Sequence, residues 1–455
     1  MIRIQYASEV EKEFFAPRSF SGSAETVRAV IEDVKKRGDD ALRDYAKKFD
    51  AASPASFLLP EDELRCAAEK LKRERVALYD ALSYSYDAAL RFAKKQKESF
   101  SDFETELEPG VFTGQKTIPV ESAGAYIPAG RFPLVSTVVM TSAPAVAAGV
   151  KNLVICTPPR VHPNDRGEAE RSGTGKAGKP FVGGAPYADE GIMAAAFICG
   201  VKTVFACGGA QAVAAMAFGT ESIPAVDVIV GPGNKFVAAA KKEVYGTVGI
   251  DMLAGPTEVF IIADGSADPA WLAADLLAQA EHDPVAQPVL ATPDEKLAER
   301  VASEIEVQLA SLPTRATAEE SISSCGRIII TGSLEEAAEL ANRKAPEHLE
   351  LAVSEGSECD KLVSLVHNYG SLFIGHYAAE VFGDYAAGLN HTLPTSGSAR
   401  FTGGLSVRTF LKTVTTLRCE KGKEGMKRSA EAAACLGDAE GLAAHARAAR
   451  LRLKN

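Results

Sequence analysis

Apolar residues recur at two different spacings along this chain, and the change from one to the other divides it into regions. Between Ser23 and about Phe49, Val27, Val30, Ile31 and Val34 fall on one face of a 3.6-residue period, which predicts a helix. Pro60 opens a second helical stretch running to about Phe100. After Gly124-Ala-Tyr-Ile-Pro-Ala-Gly130 the pattern changes to short apolar runs at 153–157, 202–206, 226–230 and 258–263, separated by Ala-rich helical segments. That alternation predicts βαβ units around a parallel sheet. A second set of runs at 288–292, 327–331, 349–353 and 372–375 predicts another such unit. Two α/β lobes would leave a cleft between them, where ligands commonly sit. Residues 161–188, rich in Gly, Pro, Arg and Asp, read as a flexible surface insertion without chemistry of its own. The chain from about Met426 is Ala- and Arg-rich and helical in pattern, and no 20–50-residue period points to a repeat architecture.

Composition narrows the picture further. At 455 residues the chain exceeds what one core usually serves. With 46% hydrophobic and 24% charged residues it reads as an ordinary globular protein. A net charge of −10 argues against a nucleic-acid partner, because the basic pairs are interspersed with acids along helices. The apolar stretches around 133–150 and 191–219 are interrupted by polar residues, so no membrane span is expected, and Met1-Ile-Arg-Ile-Gln-Tyr-Ala7 does not read as a secretory signal. Eight scattered cysteines with no CxxC indicate neither a disulfide framework nor a thiolate zinc site, which fits a reduced, cytoplasmic chain.

Several motifs could carry chemistry. Phe205-Ala-Cys-Gly-Gly-Ala-Gln-Ala-Val213 and Val230-Gly-Pro-Gly-Asn-Lys-Phe236 each place a strand, a Gly turn and a helix in succession, offering backbone N–H groups to a phosphate. Neither is the full GxGxxG fingerprint, and a plain tight βα turn satisfies the same pattern. In Asp275-Leu-Leu-Ala-Gln-Ala-Glu-His282, Gln279 and His282 are three apart, so on a helix they would share a face and could hold one ion. Asp384 and His391 lie in a Gly-rich stretch after a strand that reads as a loop, and His445 lies on an Ala/Arg helix; taken alone His445 reads as a surface histidine. Together two His, one Asp and one Gln would make a nitrogen–oxygen set suited to Zn²⁺ or Mn²⁺. Glu347 directly precedes His348 at a strand start, a pairing able to activate water and to take an alcohol proton, although a surface Glu-His dyad fits the spacing equally.

Ile250-Asp-Met-Leu-Ala-Gly-Pro-Thr-Glu-Val-Phe-Ile-Ile262 followed by Asp275–His282 resembles the long signature of the histidinol dehydrogenase family. Tyr126-Ile-Pro, Gly208-Gly-Ala-Gln211, Gly231-Pro-Gly-Asn-Lys235, Ala345-Pro-Glu-His-Leu-Glu350, Gly383-Asp-Tyr through Asn390-His391, and Glu440-Gly-Leu-Ala-Ala-His445 extend the likeness from about residue 20 onward. The resemblance implies zinc bound by Gln279, His282, Asp384 and His445, one ion per subunit. It implies His348 as general base, Glu347 as activator of water, and NAD contacts from Tyr126, Gln211 and Asn234. Substrate contacts would come from Thr257, Gln279, His282, His348, Asp384, His391, Glu440 and His445. The implied reaction is the four-electron oxidation of L-histidinol through L-histidinal to L-histidine with two NAD⁺, closing histidine biosynthesis. A different small alcohol, such as a sulfonated diol, is the alternative substrate, and a metal-stabilised dimer without activity is a third reading.

The implied fold is α/β, with two incomplete Rossmann-like lobes, a helical N-terminal region and a helical C-terminal extension. The expected division is an arm at 1–22, a discontinuous α/β domain at 23–125 with 259–405, a second Rossmann-like domain at 126–258 carrying the 161–188 insertion, and an extension at 406–455. That extension would be exchanged within a homodimer, so that Glu440 and His445 complete the partner's site. An alternative chemistry, a thiol adding to the aldehyde, would use Cys156 or Cys207, but neither has a basic neighbour in sequence to lower its pKa.

Overall fold

The computed structural model describes residues 1–16, 24–130 and 133–453. Its frame is two parallel sheets. The first, of five strands, runs in the order Gly249–Ile250, Val228–Val230, Ser122–Tyr126, Asn152–Thr157, Thr203–Ala206. The second, of six, runs Arg3–Tyr6, Arg327–Ile330, Gln287–Thr292, Glu258–Ala263, His348–Ala352, Ser371–Ile374. All six residues of Glu258–Ala263 are buried, as expected of a central parallel strand covered on both faces by helices. The expected α/β class with parallel sheets is borne out, and no helix among the described residues is long and apolar enough to cross a membrane.

Three groupings differ from expectation. The run at 258–263, expected to follow the first set of strands, lies at the centre of the second sheet. Residues 23–125 pack chiefly on the first sheet, although Ala88 and Phe92 also meet Gly388 of the 259–405 stretch. Val27, Val30, Ile31 and Val34 share a core with Val213, Val237 and Ile229, while Leu64, Ala67 and Leu71 pack with helices of the same first sheet, and Ser122–Tyr126 is one of its central strands. The apolar faces of these helices therefore clad the first lobe. The N-terminal arm, for its part, supplies Arg3–Tyr6 as an edge strand of the second sheet; residues 17–23 lie outside the described set.

The two long predicted helices are each broken in two. Ala24–Arg37 and Asp39–Phe49 part at Gly38, whose φ of +53° no helix accommodates, and Glu61–Glu74 and Val76–Lys97 part at Arg75. A third, antiparallel sheet was not anticipated: Val111–Pro119 lies between Phe103–Glu108 and Leu411–Cys419. The C-terminal extension is thus part strand, followed by helices Glu424–Ala439 and Ala443–Leu453 that pack on each other. The 161–188 insertion is folded. Helix Arg166–Ser172 is followed by Phe181–Val182, which pairs in parallel with Ala52–Ser53 and so ties the insertion to the N-terminal region.

Candidate active site between the two sheets

Glu347 and His348 stand where a short loop enters strand His348–Ala352, next to the strand beginning at Glu258. Helix Leu334–Lys344 ends at Ala345, a non-glycine residue with φ +52°, which turns the chain sharply into Pro346 and Glu347. The Glu347 carboxylate accepts at Oε2 from Thr257 Oγ1 (2.5 Å) and from the Glu258 N–H (3.0 Å). Burial pushes its pKa up to about 7, against the pull of the neighbouring His348 and these two hydrogen bonds. His348 Nδ1 lies 3.3 Å from Glu258 O, and Nε2 lies 3.2 Å from Asp384 Oδ1. Burial disfavours the imidazolium, yet the carboxyls of Glu347, Asp384 and Glu380 outweigh it and raise the pKa of His348 well above the ordinary value.

Thr257 and Gln279 complete this cluster, Gln279 Nε2 donating to Thr257 Oγ1 at 2.6 Å and lying 3.3 Å from His348 Nδ1. Gln279 is on helix Pro269–Ala280, but His282 is beyond its end, so the expected shared helical face is replaced by a turn in which the His282 N–H donates to Gln279 O (3.4 Å). Asp384 sits on a short helix, Glu380–Tyr385, where the sequence pattern led us to expect a loop. Burial opposes its ionisation, but the hydrogen bond from His348 and the nearby His391 and His282 hold its pKa below the usual carboxylate range.

His391 belongs to a segment that joins the two lobes. Its Nε2 lies 3.4 Å from Ser136 Oγ on helix Val135–Ala148 of the first lobe, and burial lowers its pKa. Asn390 Nδ2 donates to Met140 O (2.7 Å) on the same helix, and Thr395 Oγ1 accepts from the Gly255 N–H (2.6 Å). Glu440 and His445 are not drawn into this cluster. Both are exposed and make no side-chain hydrogen bond or ion pair among the described residues, where no three His, Cys, Asp or Glu side chains form a metal cage.

The expected cofactor residues share the carboxyl rim of the first sheet, the usual ligand edge of open α/β sheets. Tyr126 is buried at the end of its strand and its hydroxyl accepts from the Gly209 N–H (3.1 Å), at the turn into the helix bearing Gln211. Asn234 caps helix Lys235–Val244, accepting from the N–H groups of Phe236 (3.0 Å) and Val237 (3.2 Å). Gly231 has φ +107°, and a Cβ there would come within 2.3 Å of Tyr126 O, so only glycine fits the approach of these two turns. Asp251, in the signature segment, holds the Gly231 turn: it accepts from the Gly231 N–H (2.8 Å), the Met252 N–H (2.6 Å) and the buried Lys241 ammonium.

Some residues of the site escaped sequence reasoning. Glu380 Oε2 is 3.9 Å from His348 Nδ1, buried and without a hydrogen-bond partner. Behind it Glu350 accepts from the Glu380 N–H (2.9 Å), and burial, then the neighbouring Asp275, raises its pKa to about 8. Beneath Glu347, Lys344 Nζ bonds Glu258 Oε1 (3.2 Å) and Gln287 Oε1 (2.5 Å), all buried. The only available signal was four-residue spacing between Glu380 and Asp384, which in so short a helix is weak. Cys156 and Cys207 are buried, and burial pushes both thiols up and away from the reactive thiolate.

A family model described as Histidinol dehydrogenase matches residues 17–170 and 182–453. Over 467 residues the chain is 39% identical to "Histidinol dehydrogenase" of Dechloromonas aromatica, with 100% of both chains covered. It is 42% identical over 434 residues to "Sulfopropanediol 3-dehydrogenase" of Ruegeria pomeroyi, covering 94% of this chain and 92% of that one. The crystal structure of histidinol dehydrogenase from Elizabethkingia anophelis superposes with a TM-score of 0.86 at 34% identity, covering 100% and 98% of the two chains. The chain therefore belongs to the histidinol dehydrogenase family, a family of NAD-dependent oxidoreductases.

Proposed function

We propose that this chain oxidises L-histidinol through L-histidinal to L-histidine, reducing two NAD⁺, as the last step of histidine biosynthesis in the cytoplasm. The observation that carries the reading is the orientation of His348. With Nδ1–H donating to Glu258 O, Nε2, paired here with Asp384 Oδ1, is the nitrogen that would take a proton from substrate once Asp384 turns to the metal. In the first oxidation the alcohol proton passes to His348 Nε2 while the carbinol hydride passes to NAD⁺. Glu347 then takes a proton from water as its oxygen adds to the aldehyde carbon. The resulting hydrate loses its second hydride to another NAD⁺ and its hydroxyl proton to His348, leaving the carboxylic acid.

The donors near His348 fit a zinc ion. Gln279 Nε2 is engaged with Thr257, so its amide oxygen is the free donor, and Asp384 brings a carboxylate with His282 nearby. Zinc would be held by Gln279, His282, Asp384 and His445, and when bound it would fix the substrate's imidazole and amine through both oxidations. Because His445 and Glu440 stand apart from the other residues, we propose a homodimer in which each C-terminal extension completes its partner's site. Tyr126, Gln211 and Asn234 would hold NAD, and Thr257, His391 and Glu440 would contact substrate beside the metal ligands and His348.

The Ruegeria relative keeps a sulfonated diol as a second substrate reading. Glu440 favours histidinol, since a carboxylate suits an ammonium and repels a sulfonate. The test is NADH formed per alcohol supplied, with L-histidinol and with sulfopropanediol, before and after chelation and zinc restoration. Two NADH per histidinol, lost on chelation and regained with zinc, are expected; turnover of the sulfonate alone would overturn the assignment.

A further inference from the structure

Helix Val135–Ala148 of the first lobe contains Pro144, which has no N–H for the carbonyl four residues earlier, that of Met140. Both residues are buried, and a carbonyl left there without a donor would be costly. The donor comes from the segment that joins the lobes, as Asn390 Nδ2 gives its 2.7 Å hydrogen bond to Met140 O. The same side chain accepts at Oδ1 from the Thr392 N–H (2.9 Å). Exchanging its oxygen and nitrogen would set like against like at both ends, so the amide has one orientation. These two bonds bracket His391, whose Nε2 lies 3.4 Å from Ser136 Oγ on the first turn of that helix. Packing alone does not fix the joint, because Pro144, Leu389, Asn390 and Leu393 line a cavity of about 200 Å³. Just before it the segment presses on helix Val76–Lys97, where a Cβ on Gly388 would come within 2.8 Å of Ala88 O.

We propose that Asn390 is a positioning residue for both oxidations: through the carbonyl that Pro144 leaves open, it sets His391, and with it the substrate, against the lobe that carries the cofactor. Glu347 and His348 stand on the second sheet and Tyr126 on the first, so a hydrogen bond that spans the lobes acts on the distance between substrate and nicotinamide without touching either. Hydride transfer needs the carbinol carbon and the nicotinamide ring at contact distance, and a displacement of about 1 Å can slow such a step by about 10²-fold. Pro144 is the other half of the device. By withholding its own N–H it keeps Met140 O for a donor from outside the helix.

The inference rests on the reading of the chain as oxidising L-histidinol, and the test keeps the two apart. Asn390→Asp retains the acceptor for Thr392 and sets an oxygen against Met140 O, Asn390→Ala removes both bonds, and Pro144→Ala returns an intrahelical N–H to Met140 O. For each full-length variant, kcat and KM are measured with L-histidinol and with sulfopropanediol, together with the carbinol deuterium isotope effect and the thermal unfolding midpoint. Asn390→Asp and Asn390→Ala should lower kcat by about tenfold or more and raise the isotope effect, with KM for NAD within about twofold of wild type. Adding Pro144→Ala to Asn390→Ala should bring back part of the lost midpoint and none of the lost kcat, which separates positioning from stability. A kcat for Asn390→Asp within about twofold of wild type, or a kcat that recovers together with the midpoint, overturns the proposal. Where Asn390→Ala does not fold, the nearly isosteric Asn390→Asp decides alone. Slowing with the sulfonated diol, in a chain that leaves histidinol untouched, upholds the proposal and sinks the substrate assignment. In a chain that oxidises neither alcohol, faster amide exchange across residues 391–395 in Asn390→Asp upholds the positioning of His391, and unchanged exchange overturns it.

Discussion

Replacing Asp251 by Ala removes the acceptor for three donors at once, those of Gly231, Met252 and Lys241, at a point where Lys241 is only 2% exposed. Two backbone N–H groups left unpaired cost about 1–3 kcal/mol each if water does not reach them. An ammonium stranded beside them brings the loss to the 3–5 kcal/mol range typical of a broken buried pair, roughly a third of a normal domain's stability. Lys241→Met should cost less, because Asp251 keeps both N–H donors. The double variant Lys241→Met/Asp251→Ala should recover about 1–3 kcal/mol of the Asp251→Ala loss, since no charge is then left buried. The assay is urea unfolding of the four proteins as a double-mutant cycle, with the NAD KM of each measured in parallel. The Gly231 turn loses its N–H anchor in every variant lacking Asp251 and its carbonyl anchor in every variant lacking Lys241, so KM for NAD should rise in all three, most in the double variant. A loss below about 1 kcal/mol for Asp251→Ala, or additivity within about 0.5 kcal/mol, would refute the reasoning.

Three further outcomes are expected. Glu347→Gln, close to isosteric, should slow oxidation of L-histidinal by about 10²–10⁴-fold and the first oxidation of L-histidinol far less; stopped-flow NADH traces from each substrate would read this, and equal slowing would remove Glu347 from the water step. His348→Ala and His445→Ala chains, each inactive, should regain about a quarter of the wild-type rate when refolded together, because half of randomly paired dimers would carry one intact site of two; no recovery would mean the tail serves its own chain. Burial raises the Asp50 pKa to about 7 from an unfolded value near 4, so the folded chain holds the extra proton and its stability contribution is present below pH ~4 and lost as pH rises to ~7. Asp50→Asn should flatten the melting temperature over that window, and an unchanged pH slope would count against the buried carboxyl.

Where burial on both faces demands it, the sequence declares the strand. Val228-Ile-Val230 and Glu258-Val-Phe-Ile-Ile-Ala263 stand out as apolar runs because helices cover both of their faces. Phe103-Glu-Thr-Glu-Leu-Glu108 is exposed along its whole length, so its composition follows solvent and gives no apolar run to read. Arg3–Tyr6 is an edge strand with one buried residue and is equally silent. The site divides along the same line. Motif resemblance located Glu347, His348, Gln279 and Asp384, whereas Glu380, Glu350 and Lys344 are charged groups whose burial arises only from the tertiary fold. His282 shows the converse error, a spacing that reads as helical although the helix stops two residues earlier.

The segment from Asn390 to Thr395 is fastened to the first lobe through Met140 and Ser136 and to the signature loop through Gly255. A jaw-like opening of the two lobes would have to break all three fastenings. Exchange of spent NADH for fresh NAD⁺ would then have to proceed along the open rim of the first sheet while the cleft stays shut. A half-oxidised aldehyde waiting between two hydride transfers would be kept behind a closed door, safe from escape and from the amines of the surrounding cell.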